Sequence, residues 1–152
     1  MKSLNEKTAE VLNDLIRINN DRIAGYEKAA NETEANDTDL RSLFTDMAAE
    51  SREYAAQLSN HVTRQGEESA EDSTLKGKIY RTWMDVKATF SGKNRKSILA
   101  SCEFGEDAAQ KAYEEALNED IPAEVRLMIT EQKASLKKSH DKIKRMRDAQ
   151  PA

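Results

Sequence analysis

The chain has 152 residues, of which 34% are charged, 38% are hydrophobic, five are glycine and two are proline. This composition is typical of long helices with one charged face, and the length suits a single domain over residues 1–152. The net charge of −4 argues against a nucleic-acid partner, the lack of a long apolar run argues against a membrane span, and a lone cysteine without an apolar leader predicts a cytoplasmic location.

The first half of the sequence predicts one helical hairpin. Ser3 and Glu6 have the spacing of a capping box, so the first helix is predicted over residues 3–30. A polar loop over residues 31–37 separates it from a second helix, predicted over 38–65 because apolar residues recur there at helical spacing. The residues predicted to form the buried stripe of the first helix are Leu12, Leu15, Ile18, Ile23 and Tyr26.

The second half predicts another hairpin, reached by a long connection. Apolar spacing predicts a third helix over 94–117 and a fourth over 122–147, which opens at Pro122, a favoured first-turn residue. The connection over 66–93 is too long for a tight antiparallel turn, so it is predicted to be a crossover. Its apolar residues over 75–90 share one helical face, which predicts a short fifth helix.

The two predicted hairpins are similar in sequence. The octapeptide at 39–46 resembles that at 124–131, an offset of 85, and Tyr26 is matched by Tyr113, an offset of 87. Two hairpins joined by one long connection are typical of ferritin-like bundles. The predicted fold is therefore all-α, a ferritin-like four-helix bundle of two pseudo-repeated helical hairpins with a long crossover that carries the fifth helix.

Specific stretches also carry a family resemblance. They are residues 18–22 and 25–27 in the first helix, 80–85 in the crossover, 101–107 in the third helix and 138–141 in the fourth. Together they resemble a bacterial family of ferritin-like four-helix-bundle proteins catalogued as a domain of unknown function. The resemblance implies the ferritin-like fold, and it does not imply that the protein oxidises iron.

Acidic residues near the predicted bundle centre are candidate metal ligands. Dinuclear iron or manganese centres in such bundles combine bridging carboxylates with Glu-x-x-His motifs, and this sequence contains no Glu-x-x-His. The remaining candidates are Glu50 and Glu53 in the second helix and Glu106 in the third. They would serve a single-metal or weak site.

Polar residues interrupt or border the apolar stripes, and buried polar groups persist where they find hydrogen-bond partners. The structural interpretation is that they pair with one another and set the register of the bundle. The members of this predicted polar layer are Asn19, Tyr26, Glu50, Glu106, Tyr113, Gln132 and Ser139.

Two further residues invite a catalytic interpretation. Cys102 lies at helical spacing from Leu99 and Ala109, where a free thiol usually acts as a small core residue. His140 precedes Asp141, but adjacent helical residues do not face each other, so the two are predicted not to form a dyad.

The function favoured by these patterns is that of a non-enzymatic structural, interaction or stress-associated protein with a degenerate metal site and no cofactor. The crossover helix over 75–90, where Trp83 lies, has two interpretations. Covering its own bundle is the simpler one, and docking of a partner protein or a second copy of the chain is the other, because tryptophan is enriched in interface hot spots. The alternative is a carboxylate-bridged iron or manganese binding protein or oxidase with Glu50, Glu53 and Glu106 as ligands.

Overall fold

The described part of the chain folds into four α-helices. The computed structural model describes residues 3–33, 37–70 and 95–150, and these residues contain helices and no strand. The helices are α1 (Leu4–Glu32), α2 (Thr38–Arg64), α3 (Arg95–Leu117) and α4 (Ala123–Asp148). Each bound lies within two residues of its predicted position. The fifth helix, predicted over 75–90, falls outside the described residues.

Local sequence explains where α1 begins and α2 ends. The Ser3 hydroxyl accepts a hydrogen bond from the Glu6 amide at 3.1 Å, and the Glu6 carboxylate accepts from the Ser3 amide, which completes the predicted capping box. Just after the end of α2, Gly66 adopts a φ of 78° and the Glu67 amide donates to the Val62 carbonyl. A left-handed residue of this kind favours glycine and terminates the helix.

The helices run up, down, down and up. α1 and α2 form one antiparallel hairpin, and α3 and α4 form the other. α1 is also antiparallel to α3, because Asn19 contacts Tyr113 whereas Tyr26, further along α1, contacts Glu106. α2 and α3 are therefore parallel, and Arg95 at the start of α3 pairs with Asp39 at the start of α2. Two consecutive helices that run parallel require a connection that returns along the length of the bundle.

The core consists of two hydrophobic clusters. One cluster lies at the end of the bundle where α1 begins, α2 ends and α3 is followed by α4. The other cluster lies at the opposite end.

The prediction for α1 was wrong at one position: Ile23 is half-buried, and Arg22 lies in the core with 2% of its surface exposed. Within the described ranges, no helix is long and apolar enough to cross a membrane.

Candidate functional site

A buried arginine lies at the centre of the bundle. Arg22 on α1 directs Nε to Oε1 of Glu106 on α3 at 2.5 Å, and Nη2 to Oε1 of Glu50 on α2 at 3.0 Å. The guanidinium also lies over the ring of Tyr26, with 5.0 Å between Cζ and the ring centroid. One cation thus contacts carboxylates from two other helices and an aromatic face of its own helix.

The remaining guanidinium nitrogen is also hydrogen-bonded. Nη1 of Arg22 donates to the Ser51 hydroxyl at 2.7 Å and to the Met47 carbonyl at 3.2 Å, both on α2. Burial alone would lower the pKa of Arg22, but the charges of Glu106 and Glu50 and the hydrogen bond to Glu106 outweigh it and raise the pKa. The guanidinium therefore stays charged inside the protein.

Glu106 is the fully buried partner of this arginine. Its side chain is 0% exposed, and Oε1 accepts hydrogen bonds from both Arg22 and the Tyr26 hydroxyl, the latter at 2.8 Å. Burial, followed by the charge of Glu106, raises the pKa of Tyr26 well above its ordinary value, so the phenol remains a donor. In the part of the chain that the structure describes, Oε2 of Glu106 has no hydrogen-bond partner.

Glu50 connects the buried arginine to α4. Its side chain is 26% exposed, and Oε1 accepts a hydrogen bond from the Ser139 hydroxyl at 3.1 Å in addition to its ion pair with Arg22. Oε2 accepts from the Tyr54 hydroxyl at 3.3 Å. All four helices thus contribute to one network, which we call the Arg22 network: Arg22, Tyr26, Met47, Glu50, Ser51, Tyr54, Glu106 and Ser139.

A second, neutral chain of hydrogen bonds lies beside the Arg22 network. The Tyr113 hydroxyl accepts from Asn19 at 2.9 Å and donates to Gln132 Oε1 at 2.7 Å, and the Gln132 amide donates to Gln57 at 3.0 Å. Burial raises the pKa of Tyr113, which keeps this hydroxyl protonated. The two networks contain every residue of the predicted polar layer, and these residues do pair with one another.

The predicted metal ligands are only partly brought together. Glu50 and Glu106 converge, but they converge on the guanidinium of Arg22, a residue that the sequence interpretation missed. Glu53 is exposed on α2, and among the described residues it is not a partner of Arg22. Arg22 lies seven residues after Leu15 and four before Tyr26, both buried, and that helical spacing was the available signal for its burial.

Cys102 and His140 have different outcomes. Cys102 is fully buried, and burial followed by the charge of Glu106 raises the pKa of its thiol well above the ordinary value, so the prediction of a core thiol is confirmed. The prediction that His140 does not pair with Asp141 was wrong, because Nδ1 of His140 lies 3.1 Å from Oδ1 of Asp141. Nε2 of the same ring lies 2.6 Å from Asp107 on α3.

Comparison with protein families gives one match. A family model described as a domain of unknown function, DUF2383, matches residues 7–119. The matched segment spans most of α1 and all of α2 and α3, and so includes Arg22, Glu50 and Glu106. No curated protein matches the chain. Because the match covers well over half of its length, the chain belongs to the DUF2383 family.

Proposed function

We propose that this protein is a non-enzymatic helical scaffold, which acts through contacts with other proteins or with copies of itself, and whose polar centre is structural. The observation that supports the proposal is the position of the Arg22 guanidinium between Glu50 and Glu106. In this proposal the fold is a ferritin-like bundle in which an arginine occupies the place of the metal ions.

Electrostatics favours the guanidinium over a metal ion in this position. Two unit charges about 4 Å apart interact by about 4 kcal/mol at an effective dielectric constant of about 20, so a dication beside Arg22 would be repelled by roughly twice that amount. The guanidinium already uses one oxygen of each carboxylate. A metal ion would have to displace Arg22, whose side chain is 2% exposed and held by groups on α2 and α3.

A pattern in the hydrogen bonds supports a ferritin-like ancestry of two related hairpins. Tyr26 contacts Glu106 and Tyr113 contacts Asn19. The two tyrosines are 87 residues apart, and so are Glu106 and Asn19, so the two contacts are related by the sequence offset. We infer that the hairpins are pseudo-repeats that meet around this polar layer.

Metal content tests this proposal. The protein would be reconstituted anaerobically with iron(II) and separately with manganese(II), desalted, and analysed by mass spectrometry as metal per chain. We compare the wild-type chain with Glu106→Gln, and use Glu27→Gln as a matched control because Glu27 is exposed and pairs with Arg52 on the surface. The expected result is that Glu106→Gln retains as much metal as the wild type. About two metals per chain that are lost in Glu106→Gln and kept in Glu27→Gln would overturn the proposal.

The second candidate function is the iron or manganese binding protein or oxidase with Glu50, Glu53 and Glu106 as ligands. It is favoured by the buried Oε2 of Glu106, which among the described residues has no hydrogen-bond partner and would be open to a cation. Adding Glu50→Gln and Glu53→Gln to the same measurement decides between the two. Loss of metal in each of the three variants would support the second candidate.

A further inference from the structure

A separate group of side chains with metal-ligand chemistry lies at the surface between α3 and α4. Glu103, Asp107 and His140 each present one ligand atom within 4.8 Å of the others. Glu103 and Asp107 are four residues apart on α3, so they share a helix face, and His140 reaches them from α4. We call these three residues the α3–α4 cluster. The Arg22 network contains none of them.

We propose that the α3–α4 cluster binds a single divalent transition-metal ion of the zinc class. One imidazole nitrogen and two carboxylate oxygens are a donor set that suits zinc or cobalt, with the remaining coordination positions taken by water. The cluster is accessible, because the side chains of His140 and Asp107 are 18% and 63% exposed. A hydrated ion can therefore reach it directly from solvent.

The orientation of His140 supports this assignment. Histidines that bind metals usually engage their second ring nitrogen with a carboxylate, which fixes the ring and the tautomer. Here Nδ1 of His140 lies 3.1 Å from Asp141, and Asp141 is itself held by Lys137 at 3.1 Å. In this arrangement Nε2 of His140 points at Asp107, and Nε2 is the ring nitrogen that is available to a cation.

The distances show what binding would require. Nε2 of His140 and Oδ1 of Asp107 are 2.6 Å apart, a separation bridged by a proton. Two ligands of a tetrahedral zinc ion lie roughly 3.3 Å apart, so Asp107 must withdraw by roughly 0.7 Å as the metal replaces the proton. The exposed aspartate side chain is free to make this small movement by rotation.

Arg147 opposes metal binding at the same place. Its Nη1 lies 2.9 Å from Oε2 of Glu103, and its charge repels a dication. Glu103 can nevertheless hold the arginine through one oxygen and a metal through the other. We therefore expect an affinity that is limited by Arg147 and rises when this charge is removed.

The test measures zinc binding by isothermal titration calorimetry near neutral pH, with cobalt(II) absorption as a second readout of coordination. We expect one zinc per chain, a loss of affinity of at least about tenfold in His140→Ala and about tenfold in Asp141→Ala, which removes the support of the ring. Arg147→Gln is expected to bind more tightly than the wild type. His61→Ala, which removes the other histidine, is the matched control and should bind as the wild type does.

Three results would overturn the assignment: no zinc binding, an affinity unchanged by His140→Ala, or an equal loss in His61→Ala. Circular dichroism on each variant separates a lost ligand from lost folding. Asp107→Asn preserves the size of the side chain and is the second variant should His140→Ala unfold, with an expected loss of affinity and a weaker cobalt spectrum. None of these substitutions touches the Arg22 network, so this result is independent of the test of the scaffold proposal.

Discussion

Replacement of Arg22 by methionine tests whether the buried ion pair holds the bundle centre together. Methionine keeps an apolar stem of similar length, so the main loss is the charge. The substitution leaves Glu106, which is 0% exposed, with the Tyr26 hydroxyl as its hydrogen-bond donor, and it removes the ion pair of Glu50. Breaking a buried pair from one side costs about 3–5 kcal/mol, because it strands an uncompensated charge.

The predicted cost is large relative to the stability of a domain, which is typically about 5–15 kcal/mol. Urea unfolding followed by circular dichroism gives the free energy of unfolding of each variant. Arg22→Met should lose about 3–5 kcal/mol at neutral pH. Arg52→Met is the control, since the Arg52–Glu27 pair has a similar distance of 3.0 Å but side chains that are 51% and 55% exposed. It should cost less than about 1 kcal/mol.

The double variant Arg22→Met/Glu106→Gln separates a lost partner from lost packing. If the stranded carboxylate is the cause, adding Glu106→Gln should restore at least about 1.5 kcal/mol of the loss, because the double-mutant cycle isolates the coupling of two neighbours. A cost below about 1 kcal/mol for Arg22→Met, or strictly additive losses in the double variant, would refute the reasoning.

Further expectations concern the neutral network, the histidine and the thiol. Tyr113→Phe should cost about 1–3 kcal/mol in urea unfolding, because it removes the donor to the buried Gln132 Oε1 and leaves the Asn19 amide with the Leu15 carbonyl as its remaining acceptor, and a cost near zero would contradict their pairing. Partial burial lowers the pKa of His140, but hydrogen bonds to its two aspartates outweigh it and raise the pKa overall. Its contribution to stability is therefore fully present below the unfolded-state pKa and is lost as pH rises through the raised pKa of the folded state. With EDTA present, the free energy of unfolding of the wild type should fall by at most about 1 kcal/mol as the pH rises from the unfolded-state pKa of His140 through its folded-state pKa. His140→Ala should not show this fall. Cys102, whose thiol pKa is raised, should react with Ellman's reagent only as fast as the chain unfolds, and rapid labelling of the folded protein would show that the thiol is accessible.

The helices were predictable because their signals are local. The Ser3 capping box, Gly66 and the apolar spacing each act within one or two helical turns, and they placed every helix bound within two residues. Seven members of the polar layer, though not Arg22, were predictable for the same reason, since a polar residue at a core position of a helix has to find a partner. The parallel arrangement of α2 and α3 also agrees with the long connection between them.

The contacts of Arg22 and His140 were not predicted, because they depend on how far and in which direction the side chains extend. Hydropathy placed Ile23 in the core, whereas the structure buries Arg22, because a carboxylate from α3 and another from α2 meet it there. Neither pairing is visible in the spacing of one helix. For His140, the rule that adjacent helical residues do not face each other treats side chains as fixed directions. A histidine and an aspartate are long and flexible enough to bend towards each other over one residue step.

The position of Arg22 also bears on how separate molecules associate. In the proposed pseudo-repeat, the offset of 87 makes Ala109 on α3 the counterpart of Arg22 on α1, and Asn19 the counterpart of Glu106. If the α1–α2 hairpins of two chains docked on each other in this register, each guanidinium would meet an asparagine in place of the buried carboxylate. Such a pairing would enclose two positive charges without their main counter-ion. The asymmetry of this single charge therefore disfavours the pairing of two α1–α2 hairpins and favours the pairing of each α1–α2 hairpin with an α3–α4 hairpin.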